Sequence, residues 1–211
     1  MSETAQAICG QSTPPSLARL LLGLCFICLI ASGCVAPSGT GGQGEAVSIG
    51  GLQVGRPSGF CVVKQSLVEQ ATTGFAALAP CSPGSAVQSP AASAVLTVTV
   101  GETGTANTVD LSGPALGAYF TSPEGLVTLS SEGRAGSVRV HEVWQSNGVV
   151  TLRLTDNSAR WPGLSWRAVL ALQGHLVTLT LQGTGQTGLT EIEGRRLMGR
   201  FATAMRRANA G

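Results

Sequence analysis

The most regular alternation of apolar and polar positions runs from Val138 to Leu181 and predicts four antiparallel strands in succession. In the first, Val138, Val140 and Trp144 fall on one face, with Arg139 and His141 on the other. Alternation also assigns His141 and Glu142 to opposite faces. Ser146-Asn147-Gly148 supplies the turn, because Asn-Gly accepts the positive φ angles of a two-residue hairpin. Val150, Leu152 and Leu154 return against Thr151 and Arg153. In a second hairpin Trp166, Ala168, Leu170 and Leu172 lead to a turn at Gln173-Gly174, and Val177, Leu179 and Leu181 come back. Two hairpins in sequence make a β-meander. After Thr190 the period changes. Leu197, Met198, Phe201, Met205 and Ala208 recur at spacings of three and four, which predicts an amphipathic helix reaching about Asn209. Thr190-Glu191-Ile192-Glu193 is its capping box, and its apolar stripe is expected to lie across the meander.

Upstream the pattern is shorter and broken by glycine. Val47-Ser48-Ile49 and Leu52-Gln53-Val54 suit a small hairpin across Gly50-Gly51, and Phe60 to Val63 reads as a strand. Ser66-Leu67-Val68-Glu69 fits a capping box and predicts a helix of at most two turns. Phe75 to Ala79 is a further strand, Ser82 to Ser93 a Pro- and Ser-rich loop, and Ala94 to Val100 a strand ended by polar Gly101 to Asn107. Two short helices follow, one near Pro114 to Phe120 and one opened by Ser122, with Pro123 at its first position. The expected class is therefore α+β: an antiparallel meander sheet with a central helical segment and a C-terminal amphipathic helix packed on it.

The start of the chain follows different rules. Residues 20–31 are an uncharged apolar run of twelve, the length of a signal-peptide core and short of the roughly 20 residues of a membrane span. Ala31-Ser32-Gly33-Cys34 after it resembles a bacterial lipobox, in which Cys34 is lipidated and becomes the first mature residue. The alternative is an ordinary secretory signal with Cys34 incidental. The Gly-, Ser- and Pro-rich segment behind Cys34 has the composition of a flexible tether. This divides the chain into a signal peptide at 1–33, an anchor and tether at 34–44, and one globular domain at 45–211. Val35 is not the aspartate that retains lipoproteins in the inner membrane, so an outer-membrane anchor facing the periplasm is expected.

The order of elements resembles the PsbP-like fold, shared by the photosystem extrinsic proteins and the Ran-binding Mog proteins. The similar part is Ser165 to Leu170, Gly174 to Leu181 and the final helix. The mature chain also resembles a group of small alphaproteobacterial envelope lipoproteins, through Gly59-Phe60-Cys61-Val62, Ala79-Pro80-Cys81, Ala94 to Val98 and the Arg-Arg-Ala-Asn ending at Asn209. Neither resemblance implies an activity or a functional residue.

Composition narrows the function. Thirteen basic against 11 acidic residues, a net +2, lack the footprint of a nucleic-acid binder. Lys64, the single lysine, is in no phosphate loop, so nucleotide-driven chemistry is not expected. His141 and His175 are the only histidines and Asp110 and Asp156 the only aspartates; this is too little for a metal loop or a nucleophile–base–acid set, and no cofactor is implied. His141 reads as a surface residue and His175 as an exposed strand end. The Cys-x-x-Cys at Cys25 and Cys28 sits inside the signal core, where no redox chemistry could use it. Processing at Cys34 leaves Cys61 and Cys81, and an oxidising compartment favours a disulfide between them, with two buried thiols as the alternative. Five arginines, Arg195, Arg196, Arg200, Arg206 and Arg207, lie on the last helix. They are either a solvated face or a surface for docking a partner or contacting anionic headgroups, with Trp161 as a further exposed contact. The expectation is a membrane-anchored envelope lipoprotein without catalysis, docking on an envelope protein or supporting assembly. The alternative is a small-molecule or lipid-binding module, using a cleft between the meander and residues 108–130.

Overall fold

The structure is a computed structural model and describes residues 46–70, 72–81, 94–159, 163–184 and 188–211. The signal segment, Cys34, the tether, the 82–93 loop and Trp161 lie outside the described residues. Among the described residues no helix is long and apolar enough to cross a membrane.

The chain opens with strands β1 (Ser48–Ile49) and β2 (Leu52–Gln53), paired across Gly50 and Gly51, both at positive φ. Then come β3 (Phe60–Val62), β4 (Val68–Glu69), β5 (Gly74–Pro80) and β6 (Ala94–Thr103). Helices α1 (Gly113–Thr121) and α2 (Pro123–Leu129) follow. Ser112 and Ser122 cap them, accepting from the N–H groups of Ala115 and Gly125. The meander is β7 (Val138–Ser146), β8 (Val149–Asp156), β9 (Leu164–Leu172) and β10 (His175–Gly183), and α3 (Glu191–Ala208) ends the fold. The architecture is α+β with an antiparallel sheet.

One sheet runs in the order β3-β5-β6-β10-β9-β8-β7, with β4 beside β5. The N-terminal strands and the meander meet where β6 pairs with β10, as in Val98 opposite Leu179. Both meander turns have positive φ at each central residue, Asn147 and Gly148 in one and Gln173 and Gly174 in the other. One face of the sheet carries the main core. Leu78, Leu96, Val98, Trp166, Leu170, Leu179 and Leu181 are fully buried there beneath Leu197, Met198, Phe201 and Met205 of α3. Ala208, counted in the apolar stripe, is exposed at the end of α3. On the other face α1 and α2 cover only the meander, with Leu116, Phe120 and Leu129 against Val138, Val150, Leu152 and Val169.

Two glycines set how close α3 lies. A Cβ at Gly194 would stand 2.2 Å from the Trp166 ring, and one at Gly55 would stand 2.2 Å from the carbonyl oxygen of Ala204. Both contacts exist because there is no side chain to hold the partners apart. The disulfide joins Cys61 to Cys81 across the β3–β5 pair, with Cα atoms 5.0 Å apart.

Three sequence expectations are corrected. Ser66 does not open a helix. Its hydroxyl donates to the Val63 carbonyl at 2.7 Å and accepts from the Ala77 N–H at 2.8 Å, which ties a short 3-10 turn to the sheet edge before β4. Residue 101 does not end β6, which continues to Thr103 opposite His175. In β7, an irregularity between Val140 and Glu142 adds one residue to the strand. Such a bulge places two successive side chains on one side and inverts the alternation beyond it. Val143 therefore joins Val138 and Val140 against α1 and α2, whereas Trp144 faces α3, on the same side as Glu142. His141 reaches Thr155 at 2.8 Å and Glu142 reaches Arg153, so His141 and Glu142 share a face rather than dividing between two.

Candidate functional site

At 100° per residue the five arginines of α3 form two groups: Arg195 and Arg206 point within about 20° of each other, and Arg196, Arg200 and Arg207 lie roughly 80–140° further round. The apolar stripe occupies the remaining arc, so the groups flank the core on opposite sides of the helix.

The flank facing β7 and β8 is closed. Arg195 donates to Glu142 at 2.7 Å and to Glu191 at 3.4 Å, and its guanidinium lies 4.3 Å from the centre of the Trp144 ring. Arg153 pairs with Glu191 at 2.8 Å and approaches Glu142 at 3.7 Å. Arg206 donates to the carbonyl of Asn147 in the β7–β8 turn. These contacts bind the helix to the hairpin. The start of α3 is fixed by the reciprocal capping box of Thr190 and Glu193, and the Thr190 hydroxyl and N–H hold the Glu193 carboxyl below its ordinary value.

The flank facing β1 to β3 is open. Arg196, Arg200 and Arg207 are exposed and make no hydrogen bond or ion pair among the described residues. They stand along a cleft of about 880 Å³ between α3 and the segment Val54 to Ser58. Arg56 lines the opposite wall, and among the described residues no carboxylate lines the cleft. The floor is made of small residues of α3, among them Gly199, where an added Cβ would meet nothing within 4 Å. The result is an open trough with arginines on its walls and small residues between them. A smaller space of about 180 Å³ lies on the closed flank, beside Trp144 and Arg195.

The opposite face of the sheet holds a buried charge. Asp156 is 4% exposed. Burial works against its ionisation, but the Ser158 hydroxyl at 2.6 Å and the N–H groups of Ser131 and Ser158 outweigh it and hold the carboxyl well below its ordinary value. Ser137 donates to the same carboxylate at 2.9 Å. Burial lowers the Arg167 guanidinium, and the charge of Asp156 restores part of that. Arg167 donates to the carbonyls of Leu129 at 2.7 Å and Thr128 at 3.4 Å, capping the C-terminal end of α2. The serines joined to Asp156 serve as donors that fix the loops after α2 and β8.

The histidines take no part in the cleft. His141 is exposed. His175 is buried rather than an exposed strand end, with Nδ1 2.8 Å from the Gly101 carbonyl and Nε2 3.2 Å from the Thr103 hydroxyl. The extension of β6 beyond residue 100 covers it. Among the described residues no three His, Cys, Asp or Glu side chains converge as metal ligands do. Of the docking residues singled out in the sequence, Arg196, Arg200 and Arg207 come together in the cleft and Arg195 and Arg206 turn away from it, while Trp161 lies outside the described residues. Arg56 and Gly55 escaped the sequence reading, since residues 54–58 carry no periodic pattern.

Comparison of the chain with protein-family models and with curated proteins gives no match. Among solved structures it is similar to two of Mog1. A single-residue variant of Mog1 matches with a TM-score of 0.43 and 14% identity, over 78% of this chain and 93% of that one. The Ran-binding protein Mog1p of Saccharomyces cerevisiae matches with a TM-score of 0.43 and 13% identity over the same shares.

Proposed function

We propose that the chain is a lipid-anchored protein of the bacterial envelope whose periplasm-facing domain is a non-catalytic docking module. The observation that carries the docking role is the row Arg196, Arg200 and Arg207, exposed on an open cleft where no carboxylate of the described residues answers it. Three like charges placed along one flank repel one another and add nothing to the fold, whereas the closed flank pairs its charges. Anchoring is supported by the apolar run 20–31 and the Ala31-Ser32-Gly33-Cys34 sequence after it. By the Val35 rule the anchor sits in the outer membrane.

The test has two arms. Metabolic labelling with a fatty acid should mark the wild-type chain and leave Cys34→Ser unlabelled; a wild-type chain without label ends the anchoring reading. A photo-crosslinking residue at Thr203, on the cleft, should capture an envelope component in intact cells. Arg196→Glu with Arg200→Glu should abolish that capture; capture unchanged by charge reversal would show that the arginines are not the docking surface.

A further inference from the structure

We infer that the arginine cleft is a phosphate-binding surface, occupied by the headgroup phosphates of anionic lipid in the membrane that holds the anchor; this rests on the anchored reading above.

Three observations favour that occupant. The first is ligand chemistry. Guanidinium groups pair with phosphate oxygens through two parallel N–H donors, and three exposed arginines stand along one wall of an open cleft. The second is spacing. From Arg196 to Arg207 is eleven residues, about 16 Å along the helix axis. One phosphate cannot bridge that distance, whereas a plane carrying many phosphates presents one to each arginine. The third is where the chain enters the domain. The Val54 N–H, at one end of the cleft, donates to the Val47 carbonyl at 2.8 Å. Thirteen residues separate Val47 from Cys34, a span of at most about 45 Å when fully extended. An acylated Cys34 therefore keeps this end of the cleft within reach of the bilayer surface. An acidic protein would answer the same charges but has no corresponding reason to lie at the point of entry.

The test reads each arginine separately. The intact chain is probed in native membranes and, after isolation, in vesicles of phosphatidylcholine, in vesicles of equal parts phosphatidylcholine and phosphatidylglycerol, and in phosphatidylcholine vesicles with added inorganic phosphate. Phenylglyoxal modification is then followed by mass spectrometry. Each arginine near an anionic surface gains about 1 kcal/mol, or roughly fivefold. Arg196, Arg200 and Arg207 are expected to react roughly fivefold more slowly in the phosphatidylglycerol vesicles, and strong salt should erase the difference. Arg139, exposed on β7, serves as the unprotected reference. Equal rates for cleft arginines and Arg139 in anionic vesicles would overturn the inference. Protection by inorganic phosphate as strong as by phosphatidylglycerol would replace the lipid with a free anion. Protection found only in native membranes would replace it with a protein. Flotation of the chain with phosphatidylcholine vesicles and the mass of the Cys34 peptide report the anchor independently, on the same samples.

Discussion

The two flanks of α3 carry arginines of the same kind at neighbouring positions, yet they have opposite consequences. Toward β7 and β8, Arg195 lies between Glu142, Glu191 and the Trp144 ring, and Arg153 completes the set. Toward β1 to β3, Arg196 and Arg200 begin a row that no side chain of the described domain answers. Arg195 and Arg196 are adjacent in sequence, so local composition does not separate them. The angle around the helix does, together with the strand that supplies the acids. A basic helix is therefore read by direction before it is read by total charge. Paired arginines hold the fold, and the unpaired ones face solvent.

That contrast can be broken at the buried charge, where the largest effect is expected. Asp156→Asn keeps the shape of the side chain but turns an amide N–H toward the N–H groups of Ser131 or Ser158 and weakens the charge-assisted bonds from Ser137 and Ser158, which should cost at least about 3 kcal/mol in urea unfolding at neutral pH. The acid dependence has a definite sign. The folded carboxyl is held below the ordinary value of about 3.9, so its contribution is complete above that pH and is lost as pH falls toward the folded value. The variant should lack that part of the slope below about pH 4, and identical slopes would show that Asp156 is not its source.

A second change acts on the helix as a whole. Gly194→Ala drives a methyl into the Trp166 ring and should cost roughly 2–3 kcal/mol, measured by thermal unfolding. Loss of stability without a change at Arg195 would show that the closed flank tolerates a displaced helix. Smaller again is Glu142→Gln, which removes the acid shared by Arg153 and Arg195. These groups are partly exposed, so about 1 kcal/mol is expected, and less in strong salt. The smallest effect belongs to the open flank. Arg200→Gln relieves repulsion from Arg196 four residues earlier and should shift stability by no more than about 0.5 kcal/mol, toward gain. A loss above that would mean that the row is structural after all and would remove the contrast.

Much of the fold was legible because it depends on local pattern. Asn147-Gly148 and Gln173-Gly174 mark both hairpin turns, and the three-four spacing from Leu197 to Met205 marks the buried stripe of α3. The pairing of β6 with β10 was not legible, since it joins residues far apart in sequence and no local pattern specifies it. Ser66 misled because a capping-box sequence can also serve a sheet edge, where its hydroxyl meets Ala77 instead of a helical N–H. The candidate site was half legible. Helical angles alone divide the five arginines, but which group is answered depends on Glu142, whose direction is set by the bulge. The apolar spacing Val138, Val140, Val143, two residues and then three, is the trace that the bulge leaves in the sequence. Arg56 and Gly55 left no such trace, because their role comes from a close backbone approach to α3.

The extra residue in β7 makes that strand a message in two reading frames. Up to Val140 its apolar residues address α1 and α2; beyond it Trp144 and Glu142 address α3. Deleting His141 would leave Glu142 to Ser146 on their present faces, since Glu142 already holds the register next to Val140; strict alternation with His141 retained would instead turn every one of them over. The helix that displays the arginine row would then lose its footing without any change to its own sequence. The orientation of one helix is thus written, in part, as the parity of a strand at the far edge of the sheet.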